Sequence, residues 1–165
     1  SNKFLDFFYK LRDHIEMEVN FDDYSIYTIN KFIHQGKYKK NSSASIDYFK
    51  NIIYYNNEEI QFKNKIYSPI SLIYYLRIQS LSLNQKFNFQ VFENGEIKDI
   101  IVNVIEEKNI KIKNNIYHCY AIMAQSKQNN FLQEEMMIYF DINNNQMPIM
   151  IKSKLKQGDM VLTIK

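Results

Sequence analysis

The chain has little of what staples or stiffens a small domain. Cys119 is the only cysteine in 165 residues, so no disulfide forms within the chain, and one thiol fits oxidising and reducing compartments alike. Three glycines (Gly36, Gly95 and Gly158) are too few for a glycine-rich phosphate cradle, and with two prolines they exclude a loop-rich scaffold. Tryptophan is missing, and no apolar run reaches the roughly 18 residues that mark a membrane-spanning helix. Ser1-Asn2-Lys3 does not open a signal peptide, so export would require a leader upstream of Ser1. An excess of one charge is missing too. The 21 basic and 18 acidic residues leave +3, short of the footprint of a nucleic-acid binder. The densest basic run, Lys37 to Lys40, reads as the solvated end of a hairpin.

What the chain does have is apolar side chains, 45% of its residues, with 15% aromatics drawn from Tyr and Phe. That is enough for one core and one domain spanning 1–165. The pattern is mostly that of strands. Ile15, Met17 and Val19 alternate with polar neighbours, as do Phe87, Phe89 and Val91, then Met136, Ile138, Phe140 and Ile142. Tyr117 to Met123 is apolar on both parities, as a central strand is. Asn94-Gly95 is the strongest hairpin signal, and Gln35-Gly36-Lys37, Asn129-Asn130 and Asn143-Asn144-Asn145 read as breaks. Phe4, Phe7, Phe8 and Leu11 suit a short amphipathic helix at the start.

One segment reads differently. Ser68 as N-cap with Pro69 at the first helical position opens a helix expected over 69–80, apolar almost all round and therefore largely enclosed. The expected fold is mainly β: a strongly curved antiparallel meander or half-barrel of about nine or ten strands wrapped round this central helix.

Nothing in the pattern carries catalysis. His14, His34 and His118 stand apart from one another with no ligand at metal-binding spacing. The pairs Glu58-Glu59, Glu106-Glu107 and Glu134-Glu135 sit at turns or strand ends, as solvated charge does, and no nucleophile elbow, Walker loop or dinucleotide fingerprint occurs. No catalytic residue, metal or cofactor is expected. Arg77 alone asks for an explanation, because a cation on an enclosed helix needs an offset to desolvation. Asp13 or Asp141 would supply a structural ion pair. The alternative is an anionic ligand head at Arg77, with its apolar tail lined by Ile70, Ile73, Tyr74 and Tyr75.

Phe8-Tyr9-Lys10-Leu11-Arg12-Asp13 and Ser68-Pro69-Ile70-Ser71-Leu72-Ile73-Tyr74-Tyr75-Leu76-Arg77 resemble two elements of a bacterial family, domain of unknown function 3108. Ile138-Tyr139-Phe140, Met147-Pro148-Ile149 and Lys154-Leu155-Lys156-Gln157-Gly158 resemble its closing strands, in the same order. Ser68 stands where the family has Asp, Asn115 where it usually has Gly, and Tyr139 where Trp is typical. The family pattern also opens with strands upstream of the Phe8 element, which would leave one sheet edge bare here. The resemblance implies an exported protein of the Gram-negative envelope, periplasmic or outer-membrane associated, and by analogy the half-barrel of the LolA/LolB lipoprotein carriers. It implies no reaction.

Two functional expectations follow. Either a lipid or other hydrophobic ligand lies between concave sheet and helix, or the helix is simply core and the domain binds an envelope protein. An enzyme acting on envelope polymers ranks below both. Neither leading expectation involves nucleic acid or a transmembrane segment.

Overall fold

A computed structural model describes residues 14–35, 38–128, 131–155 and 158–164. Twelve strands and one helix make up these residues. Strands β1 (His14–Val19), β2 (Ile26–Gln35), β3 (Tyr38–Asp47), β4 (Ile52–Tyr55) and β5 (Glu58–Gln61) form an antiparallel five-stranded sheet in chain order. A seven-stranded sheet follows, from β6 (Ile66–Tyr67) through β7 (Lys86–Glu93), β8 (Glu96–Ile112), β9 (Asn115–Gln128), β10 (Phe131–Asp141) and β11 (Met147–Leu155) to β12 (Gly158–Thr163). Neither sheet closes on itself. The fold is therefore mainly β, as expected. The expected N-terminal helix, Asp13 and the breaks at Gly36-Lys37 and Asn129-Asn130 lie outside the described residues.

The fully antiparallel meander is corrected at one place. After Gln61 the ladder stops: Phe62 turns into the core, and Gln90 Oε1 accepts from the backbone N–H groups of Lys63 and Asn64 at 3.1 and 3.0 Å. The chain rejoins as β6, which pairs in parallel with β7. Parallel neighbours need a long crossover. Here it is the helix, α1 (Pro69–Arg77), with the loop that follows it. The twelve strands outnumber the expected nine or ten, and one of them, the two-residue β6, has no readable period. Ile100 to Val104 and Ile110 to Ile112 both belong to the long strand β8.

The main core lies between α1 and one face of the seven-stranded sheet. Leu72 and Leu76 pack there with Val91, Ile100, Val102, Val104, Ile122, Met136, Ile138 and Phe140. Strand β9 is buried on both faces, as its double-parity pattern requires. Ile122 and Ala124 join the main core, while Cys119 and Ala121 face a smaller outer cluster with Tyr139, Ile149 and Met150. A third cluster joins the two sheets: Ile26, Ile29, Ile46 and Ile53 of the first meet Phe92 and Ile66 of the second. The β7–β8 hairpin turns at Asn94-Gly95, both at positive φ (50° and 86°), as the Asn-Gly signal predicts. Lys31, buried on β2, donates to Asn94 Oδ1 at 3.2 Å and ties this turn to the first sheet.

Candidate functional site

The helix begins as its sequence dictates. Ser68 Oγ accepts from Ser71 N at 3.0 Å, Ser71 Oγ accepts from Ser68 N at 2.9 Å, and Pro69 occupies the first turn, where no N–H is needed. Ser68 Oγ also lies 3.1 Å from Met17 Sδ, so the helix start touches β1 as well. At 100° per residue, Pro69, Leu72 and Leu76 share one side and are buried; Ile70, Tyr74, Arg77 and Ile78 share the other. Tyr74 is 46% exposed and Ile78 52%, so the enclosure expected from an all-apolar helix is only partial. Its crossover position explains this: one side faces the sheet, and the described chain does not wrap the other.

The five residues expected to line a ligand are thereby divided. Ile70 and Ile73 are half-buried against the main core. Tyr75 joins an aromatic cluster, its ring centroid 5.3 Å from Tyr67 and 5.6 Å from Phe89, with Phe87 stacked on Phe89. Burial pushes the Tyr67 phenol well above its ordinary value. Tyr74 and Arg77 point outward together, the guanidinium carbon 5.8 Å from the Tyr74 ring centroid. Tyr24 stacks on the same ring at 5.8 Å. No pattern reading singled out Tyr24, which sits in the β1–β2 turn at φ 55°, a conformation that is costly for an aromatic residue.

Arg77 is not paired with Asp141, and that expectation is corrected. Asp141 Oδ1 instead accepts from Asn143 N at 3.1 Å, closing its own turn. Asp13 lies outside the described residues. Arg77 Nε is buried and has no hydrogen-bond partner among the described residues. The outward side thus combines aromatic and aliphatic surface with a guanidinium whose buried N–H lacks an acceptor there.

The helix also ends three residues earlier than 69–80 implied. Gln146, itself at φ 50° in the β10–β11 turn, donates through Nε2 to Arg77 O at 2.8 Å and to Gln79 O at 2.7 Å. Ile78 N–H closes the last turn on Tyr75 O, and Leu81 is buried beyond it. One side chain from a distant turn therefore satisfies two carbonyls at the helix end. Gln146→Met keeps the length but removes both bonds, and is expected to lower stability by about 1–3 kcal/mol in urea denaturation. An unchanged midpoint would refute this anchoring role.

Between helix and sheet, Leu76 is 0% exposed and Leu72 4%, and both pack into the main core. An open cleft of about 550 Å³ lies elsewhere, between the 114–118 hairpin end and Asp141 and Asn143. Of the other candidate groups, His14 meets Glu16 at 2.9 Å, and His118 meets Asn109 at 3.1 Å and Glu107 at 3.4 Å, all on exposed strand surface. Glu58, Glu59, Glu106, Glu107 and Glu135 are exposed, as solvated charges are. Cys119 is fully buried, and burial pushes its thiol up to about 11. From thiolate fraction alone, a disulfide reagent should label the native protein roughly a hundredfold more slowly than an ordinary thiol. Fast native labelling would show that the outer cluster opens.

A family model described as protein of unknown function (DUF3108) matches residues 1–165. No curated protein and no solved structure matches the chain.

Proposed function

Because the chain belongs to the DUF3108 family of proteins of unknown function, we propose that it is a non-enzymatic envelope domain, periplasmic or outer-membrane associated, that works as an interaction module. Its helix fills the core with one side and offers Tyr74, Arg77 and Ile78 to a protein partner that brings a carboxylate to Arg77. The observation that carries this reading is the two-sided helix. Leu72 and Leu76 are buried against the sheet, while the outer side carries Tyr74 and Arg77, residue types on which protein interfaces concentrate their binding energy. The Arg77 guanidinium, lying against the exposed Tyr74 ring on the outward side, supports an anionic acceptor on the partner. The envelope address rests on what the family resemblance implies.

A second reading takes support from the same arginine. A lipid-like ligand could place its anionic head on Arg77 and its tail against Ile70, Ile73, Tyr74 and Tyr75, inside a curved half-barrel like that of the lipoprotein carriers.

A photo-crosslinking phenylalanine analogue in place of Tyr74, introduced in the native host, separates the two. A protein adduct that disappears with Arg77→Ala is expected. An adduct of lipid mass would favour the second reading, and no adduct at all would count against both.

A further inference from the structure

Strand β9 outruns one of its neighbours. Its register with β10 ends at Cys119 opposite Asp141, while its register with β8 continues to Asn115 opposite Ile112. One further bond, from Ile142 N to His118 O at 2.9 Å, closes the β10 side before the chain turns back through 142–146 into β11. Among the described residues, Asn115, Ile116 and Tyr117 are therefore paired with β8 alone.

The backbone groups left over have a definite direction. In an antiparallel ladder, successive residues turn their N–H and C=O alternately to the two flanking strands. His118 O faces the β10 side, so the N–H and C=O of Ile116, two residues earlier, face it too. Lys111 stands opposite Ile116 on β8, in a pair of the kind that exchanges no hydrogen bonds. Both Ile116 groups thus open into the cleft of about 550 Å³, whose walls include Asn114, Asn115, His118, Asp141 and Asn143. The cleft is a gap in a sheet, lying where β10 would run if it were longer.

Its chemistry selects its occupant. A donor and an acceptor on one strand residue match those of another extended backbone, and the three Asn carboxamides around them both donate and accept as peptide groups do. The Ile116 side chain, 69% exposed, offers an apolar contact to the residue paired with it. Asp141 is the one carboxylate lining the cleft, and no lysine or arginine lines it. Of the other charges on this hairpin, Glu107 meets His118 at 3.4 Å, Lys108 pairs with Glu106, and Lys111 and Lys113 stand outside the lining. A segment in line with β10 and antiparallel to β9 brings its N-terminal end to Asp141, which suits a basic residue there; the reverse direction would bring its C-terminal end.

We propose that this gap takes a short extended peptide segment of a partner protein by strand addition, antiparallel to β9, with an aliphatic residue paired to Ile116 and a basic residue on its N-terminal side beside Asp141. The edge from Asn115 to His118 spans roughly 13 Å, enough for about four residues. The proposal does not rest on the Tyr74 and Arg77 reading. The two places are linked only through the 142–146 turn, whose Gln146 holds the helix end.

Selection of the full chain against a phage-displayed library of random linear heptapeptides, followed by fluorescence polarisation with the synthetic consensus peptide, tests it. The consensus should place Lys or Arg on the N-terminal side of an aliphatic residue. Its binding should slow amide hydrogen exchange at Ile116 at least roughly tenfold, and N-methylation of the peptide at the aliphatic residue should weaken binding about tenfold. Ile116→Pro should weaken it as much, because it removes an N–H that faces the cleft and no ladder bond. Ile116→Val and Arg77→Ala should bind as the parent does. Failure of every selected peptide to bind in solution would overturn the proposal. So would binding that leaves Ile116 exchange unchanged, or that survives both N-methylation and Ile116→Pro. A peptide lost with Arg77→Ala but indifferent to Ile116 would also overturn it, while supporting the helix as the interaction surface.

Discussion

Leu76→Ala is expected to destabilise the protein by about 3–4 kcal/mol, the range for a large aliphatic side chain removed from a packed core. Leu76 has no accessible surface and packs with strand residues of the seven-stranded sheet. A methyl in its place leaves a cavity between the crossover helix and the sheet, and the helix cannot settle into it freely. Ser68 and Ser71 hold one end, and Gln146 holds the other. The contrast is with Tyr74→Ser, two residues away on the outward side. It loses only a half-exposed stack on Tyr24 and the Arg77 contact, and should cost about 1 kcal/mol or less. Equal costs in urea denaturation would mean that the helix is not divided into a core side and a free side. Small domains have only about 5–15 kcal/mol in total, so the Leu76 variant should melt far below its parent.

Gly95→Ala should cost about 2–4 kcal/mol, from two separate causes. The residue sits at φ 86°, where a side chain is strained whatever the space around it. A methyl there would also stand 2.7 Å from Tyr55 Cε1 and 3.0 Å from Tyr55 Cδ1. The Tyr55 ring has little freedom to retreat, being packed edge-on against Phe92 at 5.5 Å in the cluster that joins the two sheets. Thermal melts in a Tyr55→Ala background separate the causes. There Gly95→Ala should cost only about 1–2 kcal/mol, the backbone part. If the cost is the same in both backgrounds, the contact with Tyr55 is not what holds the hairpin against the first sheet.

The parts of this fold that could be read from sequence are those where local chemistry and tertiary structure agree. Ser68-Pro69 starts the helix and Asn94-Gly95 turns the chain, because capping and positive φ are short-range demands. Strand parity placed Met136, Ile138 and Phe140 inside, and the double parity of β9 marked a strand covered on both faces. The misses have long-range causes. The helix stops at Arg77 because Gln146, far along the chain, takes its carbonyls. The parallel strand Ile66–Tyr67 is two residues long and has no period to detect. The candidate site was only half legible. An apolar helix reads as enclosed, whereas the crossover leaves Tyr74 and Ile78 open, and Tyr24 reaches Tyr74 only through its turn. Phe21 and Phe49 defeat a hydrophobicity reading entirely, since residue type argues inside while Asn20 and Asp47 hold their turns outside.

The central proposal is that the helix serves as core on its sheet side and meets a protein partner with its outward side, rather than roofing a ligand. Native mass spectrometry of the protein purified from its host under non-denaturing conditions tests this most directly. The predicted result is the mass of the chain alone, with no lipid recovered by organic extraction. A stoichiometric lipid adduct, released only on unfolding, would contradict it and restore the space between helix and sheet as a binding pocket.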